Sequence, residues 1–473
     1  MNDLHLYPLP EKVVRKSGVY TLPATEIFRV PASFTKRRCA FYKELYESFT
    51  LGLGKAEFVC DATLKNAMIA GRYAGEKNAG SYDYAVKIDQ NGAYLGGQDE
   101  KGTARAFTAY LQLISCAGSL KATSVYAPAC ELYDKPKVAF RGVHFCMFPK
   151  VKKEFLRQFI RLAGMYRMSH FVLEFWGTYR FSCMEELGWK DASFTKEEIS
   201  PVLEEAVWLG MEIVPFFNCL GHASQSRIAS GDHVVLQQQP LYAPLFEPDG
   251  WTWRTDNPDA LALLRKVRKE LCDLAGEGGY FHIGCDEAFS FAASRGASSA
   301  EKGKLLAQYL NPIALEMREQ GRKIIVWGDQ LLDAKKFPPP YCANQVPDAD
   351  TAGALDLLSR EIVIADWQYD VNEGEIETSK YFKERGFSVL GSPWHCSENI
   401  AAHINTAIKY GNGVLLTTWN ITFPFIAQLL HAAEMMWQGK TLLSYPEWMS
   451  VSGNLLRKLS PHEKTFSKVW LGE

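Results

Sequence analysis

The sequence predicts an α/β protein in which a (β/α)8 TIM barrel follows a small α+β domain. Across residues 136–473, eight apolar strand-like runs alternate with amphipathic helical segments, the pattern of a barrel of parallel strands. Residues 1–135 instead show a strand–turn–strand–helix order. Because no apolar run has the length of a transmembrane helix, we expect no membrane partner.

The N-terminal domain, residues 1–135, carries a hairpin signal followed by a helix. Residues 82–88 alternate between apolar and polar, and Asn91-Gly92 is a turn dipeptide after which residues 93–96 can return as the partner strand. The helix that follows places Ala104, Phe107, Leu111 and Ile114 on one face. Since no catalytic grouping stands out, we expect this domain to brace the second one.

The barrel domain, residues 136–473, contains eight candidate strands. Amphipathic segments separate them, and one of these has the N-cap Asn257 before Pro258, which marks a helix start. In this fold the chemistry lies at the C-terminal ends of the strands. The predicted strands are residues 139–147, 170–175, 212–217, 280–286, 323–327, 362–367, 388–391 and 414–419.

Composition excludes several classes of function. The net charge is −2 with no basic block, so nucleic acid is a poor partner. The N-terminus lacks the apolar run of a secretory signal, and the 11 cysteines form no C-x-x-C pair; both fit reduced thiols and a cytoplasmic location. We find no grouping of His and Cys at zinc-ligand spacing, so no metal is expected.

The stretch YFHIGCDEAF, residues 280–289, holds the strongest candidate for chemistry. Period-two alternation places His282, Gly284 and Asp286 on one face, and Gly284 leaves room for another group to approach the backbone. Asp286 and Glu287 are adjacent carboxylates whose mutual repulsion favours one protonated and one charged group. Such a pair suits general acid–base catalysis.

The segment H-I-G-C-D-E resembles the H-x-G-G-D-E signature of glycoside hydrolase family 20, the β-N-acetylhexosaminidases, with Cys285 at the second Gly. The resemblance implies an exo-acting enzyme that removes terminal β-linked GlcNAc or GalNAc from an oligosaccharide or glycoconjugate. It implies substrate-assisted, retaining catalysis without a cofactor. Glu287 would be the general acid/base, and Asp286 would hold the substrate acetamide that attacks C1.

Two further stretches resemble family motifs near the sugar. A-F-R-G-V-H-F is similar to R-G-x-x-L-D, which implies that Arg141 grips sugar hydroxyls; Cys146 and Met147 stand where the family has its Asp. An ion pair of Arg141 with a barrel carboxylate is the alternative. P-F-F-N-C-L-G-H resembles the D-x-P-G-H turn, which implies that His222 hydrogen-bonds the catalytic Glu, with Asn218 in place of the Asp. A loop histidine bonded elsewhere is the alternative for His222.

Aromatic residues stand near the ends of the last four predicted strands. The resemblance implies that Trp327, Trp367 and Trp419 enclose the sugar and its N-acetyl group, and Trp394 follows the seventh strand. The family's Y-x-D and W-x-E motifs are missing here; Tyr369 is a candidate for the absent Tyr. The candidates for contacts with the outer hydroxyls are Asp329, Asp370, Glu398 and Asn420.

Two features leave alternatives open. Glu174, at the end of the second strand, either lines the site or forms a structural ion pair. The connection 223–256 holds Tyr242, Phe246, Trp251 and Trp253, which either wall the site or pack over the barrel rim. Two other functions also remain: a non-catalytic carbohydrate-binding barrel, and a retaining glycosidase whose own side chain, with Glu174 the nearest candidate, is the nucleophile.

Overall fold

The computed structural model describes residues 4–116, 124–149, 151–224, 234–343, 351–419 and 425–459. The chain begins with a mixed sheet whose strand order is β1-β8-β5-β6-β4-β2-β3, with β7 paired to β8. Its elements are β1 (Lys12–Thr21), β2 (Thr25–Val30), α1 (Lys36–Phe49), β3 (Lys55–Cys60), β4 (Ala67–Gly71), β5 (Tyr84–Ile88), β6 (Gly92–Gly97), α2 (Glu100–Leu113), β7 (Ser115–Cys116) and β8 (Val125–Asp134).

The predicted hairpin and helix are present in this sheet unit. Strands β5 and β6 pair antiparallel around Asn91, with Ile88 opposite Ala93. Helix α2 begins after Asp99, whose carboxylate accepts a hydrogen bond from the Gly102 N–H at 2.7 Å. Helix α1 buries one face, whereas residues 102–113 of α2 are all buried; both helices pack against the sheet, which makes this an α+β unit as predicted.

Eight parallel strands then close into a barrel, which confirms the predicted fold class. Each strand pairs in parallel with its neighbours, and β16 pairs back to β9. The strands are β9 (Arg141–Met147), β10 (His170–Phe175), β11 (Glu212–Phe216), β12 (Tyr280–His282), β13 (Lys323–Trp327), β14 (Val363–Asp366), β15 (Ser388–Gly391) and β16 (Gly413–Leu416).

Helices surround this barrel. They are α3 (Lys153–Met165), α4 (Lys196–Trp208), α5 (Val235–Gln238), α6 (Pro258–Ala275), α7 (Ser299–Glu319), α8 (Glu377–Glu384), α9 (Ser397–Tyr410), α10 (Phe425–Gln438) and α11 (Tyr445–Leu459). Helix α6 begins as predicted, with the Asn257 side chain accepting from the N–H groups of Asp259 and Ala260. Every described helix is too short or too polar to cross a bilayer.

Side-chain alternation divides the barrel into an inner and an outer core. On β9, Val143 and Phe145 face the helices in the larger core, whereas His144 and Cys146 face the interior. The inner core includes Phe216 and Trp327. This alternation decides which side chains can reach the pocket at the C-terminal ends of the strands.

Candidate active site

Asp286 and Glu287 lie on a tight turn just beyond β12. The strand ends at His282, four residues earlier than predicted, because the backbone turns at Gly284, Cys285 and Glu287 with φ angles of 66°, 77° and 45°. The predicted close approach at Gly284 is present. A Cβ at that position would lie 1.6 Å from Oδ1 of Asn218.

A histidine bridges the two carboxylates. Nε2 of His222 lies 3.3 Å from Oδ2 of Asp286 and 3.3 Å from Oε2 of Glu287. The turn before His222 is tight, since a Cβ on Gly221 would lie 2.0 Å from the backbone oxygen of Asp286. The structure thus brings His222 to the pair. When protonated, its imidazole offsets the repulsion between the two carboxylates.

The two carboxylates differ in exposure. The Asp286 side chain is 9% exposed and that of Glu287 is 36% exposed. Oδ1 of Asp286 is buried and accepts no hydrogen bond from the described residues. A buried acceptor of this kind is rare in folded proteins and is suited to a donor supplied by a ligand.

Asp329 lies directly behind the pair. Its Oδ2 accepts the Glu287 backbone N–H at 3.0 Å, and its Oδ1 accepts Nε1 of Trp367 at 3.4 Å. Burial, together with the negative charges of Asp286 and Glu287, raises the pKa of Asp329 to about 7. The sequence suggests Asp329 as a contact for sugar hydroxyls. The structure instead places it, 4% exposed, as support for the turn that carries the pair.

The five predicted aromatic residues come together beside this turn. Nε1 of Trp419 donates to the Tyr369 hydroxyl at 2.6 Å, and the Tyr369 ring lies 5.2 Å from that of Trp367 and 5.3 Å from that of Trp394. Trp327, only 1% exposed, contacts Trp419 at a ring separation of 5.7 Å. They form a continuous aromatic wall, and sugar binding by it stays a prediction.

The connection after β11 has aromatic residues in both of the predicted roles: one walls the site and another packs in the core. Trp251 packs on the His222 ring at 4.2 Å and donates from Nε1 to the Glu287 backbone oxygen at 2.7 Å, so it walls the site. Trp253 is fully buried against Phe246 at 4.4 Å and packs in the core. The sequence does not separate these roles, because both residues sit in one irregular segment, of which 225–233 lie outside the described residues.

The sugar-binding role predicted for Arg141 is corrected by the structure. As the first residue of β9, Arg141 points outward at the N-terminal end of the barrel, away from the pocket. Its Nε donates to the Arg167 backbone oxygen at 3.2 Å, and one terminal nitrogen donates to the backbone oxygens of Val138 and Ala139. The guanidinium also stacks on Trp437 at 4.4 Å, and burial lowers its pKa to about 9. It stabilises the barrel floor.

The other candidates for hydroxyl contacts are not brought to the pair. Asp370 and Glu398 are exposed, and Glu398 accepts a hydrogen bond from the Cys396 thiol at 2.9 Å. Asn420 lies outside the described residues. Among the described candidates, Asp329, Asp370 and Glu398, none is therefore assigned to the outer hydroxyls of a sugar.

Glu174 belongs to a buried group inside the barrel that the sequence misses. Oε2 of Glu174 lies 2.8 Å from Nε2 of His144 and 3.1 Å from Sγ of Cys146, and its Oε1 accepts the Asn218 amide at 3.1 Å. The available signal is the spacing His144-x-Cys146, which puts both side chains on one face of a strand. The third member, Glu174, joins them only because the register between β9 and β10 sets it opposite Cys146.

Comparison with known proteins concerns the family and the fold of the chain. Residues 168–395 match the family model described as glycosyl hydrolase family 20, catalytic domain. No curated protein matches the chain in sequence. The fold resembles that of an exo β-N-acetylglucosaminidase from Vibrio harveyi solved with N-acetylglucosamine: identity is 15%, 97% of this chain and 78% of that chain are covered, and the TM-score is 0.66.

Two solved structures from Streptomyces are similar over nearly their whole length. The N-acetyl-β-hexosaminidase of Streptomyces plicatus is 14% identical, with 97% of this chain and 95% of that chain covered and a TM-score of 0.66. The β-N-acetylhexosaminidase of Streptomyces coelicolor A3(2) is also 14% identical, with 97% and 96% covered and a TM-score of 0.67. At this identity the likeness establishes a shared fold.

Proposed function

We propose that the chain is a divergent member of glycoside hydrolase family 20, whose catalytic-domain model matches residues 168–395, and that it is an exo-acting β-N-acetylhexosaminidase. It removes a terminal β-linked GlcNAc or GalNAc from an oligosaccharide or glycoconjugate. The substrate's own acetamide serves as the nucleophile, as the family is known for substrate-assisted catalysis. The enzyme's groups then have to move one proton and stabilise one positive charge.

In the first step, the acetamide oxygen bonds to C1 while the bond from C1 to the leaving oxygen breaks. Glu287 donates its proton to that oxygen, and Asp286 accepts the acetamide N–H and stabilises the positive oxazolinium ring. In the second step, water attacks C1 as Glu287 takes one of its protons, and the ring reopens to the acetamide. Two inversions at C1 retain the β configuration.

The observation that carries this proposal is the unequal environment of the two carboxylates. The buried Oδ1 of Asp286, which has no partner among the described residues, suits an amide N–H from the substrate. Glu287, with 36% of its side chain exposed, can meet both the leaving group and water. His222, 3.3 Å from each, can balance their charge as the Glu287 proton moves.

The aromatic wall supports the same assignment. An acetamide attacks C1 efficiently only if it is held in the attacking position, and flat rings can enclose its methyl group without competing hydrogen bonds. Trp367 and Trp419 are partly buried members of the wall, joined through Tyr369. We assign this wall to the sugar and its N-acetyl group.

An enzyme nucleophile is the weaker mechanism. Glu174, the nearest candidate, is 1% exposed, and both of its oxygens already accept hydrogen bonds inside the barrel. A carboxylate committed in this way is a poor nucleophile for a sugar at the strand ends. A non-catalytic sugar-binding barrel would have no use for an acid beside a buried carboxylate.

The test compares aryl β-glycosides with and without a 2-acetamido group, using purified protein. We expect hydrolysis of the GlcNAc or GalNAc glycoside and almost none of the β-glucoside, which carries no nucleophile. Glu287→Gln should lower turnover of a natural disaccharide by about 10²–10⁴-fold, and Asp286→Asn should remove most of the activity because a neutral amide cannot stabilise the oxazolinium charge. Glu361→Gln, an exposed surface variant, is the matched control.

Three outcomes would contradict the proposal. Equal hydrolysis of the β-glucoside would exclude the acetamide as nucleophile. A covalent sugar trapped on any side chain by a 2-fluoro glycoside would show an enzyme nucleophile instead. A protein that binds N-acetylhexosamine without hydrolysing any of the glycosides would be a lectin-like barrel.

A further inference from the structure

Three side chains of metal-ligand type meet inside the barrel, below the aromatic wall. His144 and Cys146 are two residues apart on β9, so both project inward, and the strand pairing sets Glu174 of β10 directly opposite Cys146. All three are buried, with at most 1% of any residue exposed. We name this group the His–Cys–Glu cluster.

The ligand atoms of the His–Cys–Glu cluster converge on one small space, within 4.8 Å of one another. The separations are 2.8 Å from Nε2 of His144 to Oε2 of Glu174, 3.1 Å from Sγ of Cys146 to that oxygen, and 3.5 Å from Sγ to Nε2. Tetrahedral zinc, with bonds of about 2.0–2.3 Å, separates such ligands by roughly 3.3–3.6 Å. The cluster therefore needs to open by only a few tenths of an ångström.

We propose that the His–Cys–Glu cluster binds a divalent transition-metal cation of the zinc class. A thiolate and an imidazole are soft or borderline ligands, which favour zinc over the calcium and magnesium ions that prefer all-oxygen sites. One carboxylate completes a set of three protein ligands. Three ligands leave a fourth tetrahedral position for water or another oxygen ligand.

Neighbouring groups already hold two of the ligands in orientation. The Asn218 amide donates to Oε1 of Glu174 at 3.1 Å, which leaves Oε2 directed at His144 and Cys146. The His144 ring packs against Phe216 at 5.5 Å and against Trp419 at 4.7 Å. Outer contacts of this kind are typical of metal sites, where they fix ligand geometry.

The charge balance of binding is simple. Cys146 loses its thiol proton to solvent as the sulfur–metal bond forms, and His144 presents the lone pair of Nε2 in its neutral form. The thiolate and the Glu174 carboxylate together neutralise a dication. No electron moves, so no oxidant or reductant is needed. Affinity should therefore rise with pH, because the thiol proton competes with the metal.

The experiment uses the full chain, stripped with a chelator and then titrated with Zn²⁺ in competition with a chromophoric chelator. We expect one tight ion per chain. Cys146→Ala and Glu174→Gln should each weaken binding by more than about 100-fold, since even loss of an outer partner typically costs 10–100-fold. Cys219→Ala is the matched control: Cys219 is also a fully buried cysteine, but its thiol donates to a backbone oxygen.

Two further readouts separate metal binding from a loss of folding. Co²⁺ bound by a thiolate gives charge-transfer absorption, which should be present in the Cys219→Ala variant and absent from Cys146→Ala. Zn²⁺ should raise the unfolding temperature of the wild type but not that of Cys146→Ala, because a ligand stabilises only the state that binds it.

Three results would overturn the proposal. One is the absence of a stoichiometric tight ion in the wild type. The second is cobalt charge-transfer absorption that persists in Cys146→Ala, which would place the ion on other cysteines. The third is equal zinc stabilisation of the wild type and both cluster variants. Each readout concerns the metal alone, so it is independent of whether the protein hydrolyses any glycoside.

Discussion

Gly284→Ala is expected to destabilise the catalytic turn severely, because two independent costs meet at this residue. Its φ of 66° costs an L-residue about 1–2 kcal/mol. The new Cβ would also lie 1.6 Å from Oδ1 of Asn218, so that side chain must move. Moving it breaks the 3.1 Å hydrogen bond to the Glu174 carboxylate, which is worth about 1.5–3 kcal/mol. The two costs sum to about 2.5–5 kcal/mol.

Gly411→Ala is the matched control for this prediction. Gly411 has a φ of 65°, and a Cβ there would meet nothing within 4 Å. It should therefore show the conformational cost alone, about 1–2 kcal/mol. Urea unfolding of both variants, followed by tryptophan fluorescence, measures the difference. We expect Gly284→Ala to lose at least about 1.5 kcal/mol more than Gly411→Ala.

A double variant tests the origin of the excess. Removing the colliding side chain in Gly284→Ala/Asn218→Ala should make the total cost smaller than the sum of the single costs, by about 1–2 kcal/mol, as expected for residues in contact. Hydrolysis should also fall at least tenfold in Gly284→Ala, since the substitution lies two residues before Asp286. If both glycine variants lose equal stability, Asn218 does not pack on Gly284 and this reasoning is wrong.

Three further predictions concern neighbouring residues. Cys285→Gly should be more stable than Cys285→Ala by about 1 kcal/mol in urea unfolding, since both remove the thiol and only glycine is unstrained at a φ of 77°. Because the pKa of Asp329 is raised to about 7, the stability that this residue contributes is complete at acid pH and is lost as pH rises towards 7. The free energy of unfolding should therefore fall between about pH 5 and pH 8, and it should fall by at least about 1 kcal/mol more in the wild type than in Asp329→Asn. Arg141→Lys should lower the free energy of unfolding by about 2–4 kcal/mol through its lost carbonyl contacts, while kcat/KM stays within about twofold of the wild type. A large loss of kcat/KM in a folded variant would show that Arg141 does contact the sugar.

The barrel is predictable from the sequence, because eight apolar runs at regular spacing have few other ways to bury both faces. The end of strand β12 is not predictable in this way. Alternation continues through Asp286, yet the strand stops at His282, since Gly284 and Cys285 take positive φ angles. A glycine in the sequence indicates that a positive φ angle is possible there, whereas a cysteine at the next position gives no such indication.

Motif matching and side-chain direction disagree at β9. The match to a family motif brings Arg141 to the sugar, but the pleat turns it outward, where it binds backbone carbonyls. The same pleat brings His144 and Cys146 inward. Their partner Glu174 could not be found from spacing alone, because it comes from the register between two strands separated by a helix.

The contacts of Asn218 give a physical reason for one departure from the family pattern. Its position corresponds to an Asp in the family motif that it resembles, and here the side chain lies 3.1 Å from Oε1 of Glu174. A second carboxylate at that distance would add about 5 kcal/mol of repulsion at an effective dielectric constant of about 20. An amide at this position donates to Glu174 instead and still fills the space beside Gly284. A neutral side chain at 218 is therefore the one compatible with the buried carboxylate of Glu174. Asn218 also links the His–Cys–Glu cluster to the turn that carries Asp286 and Glu287, since it contacts both Glu174 and Gly284.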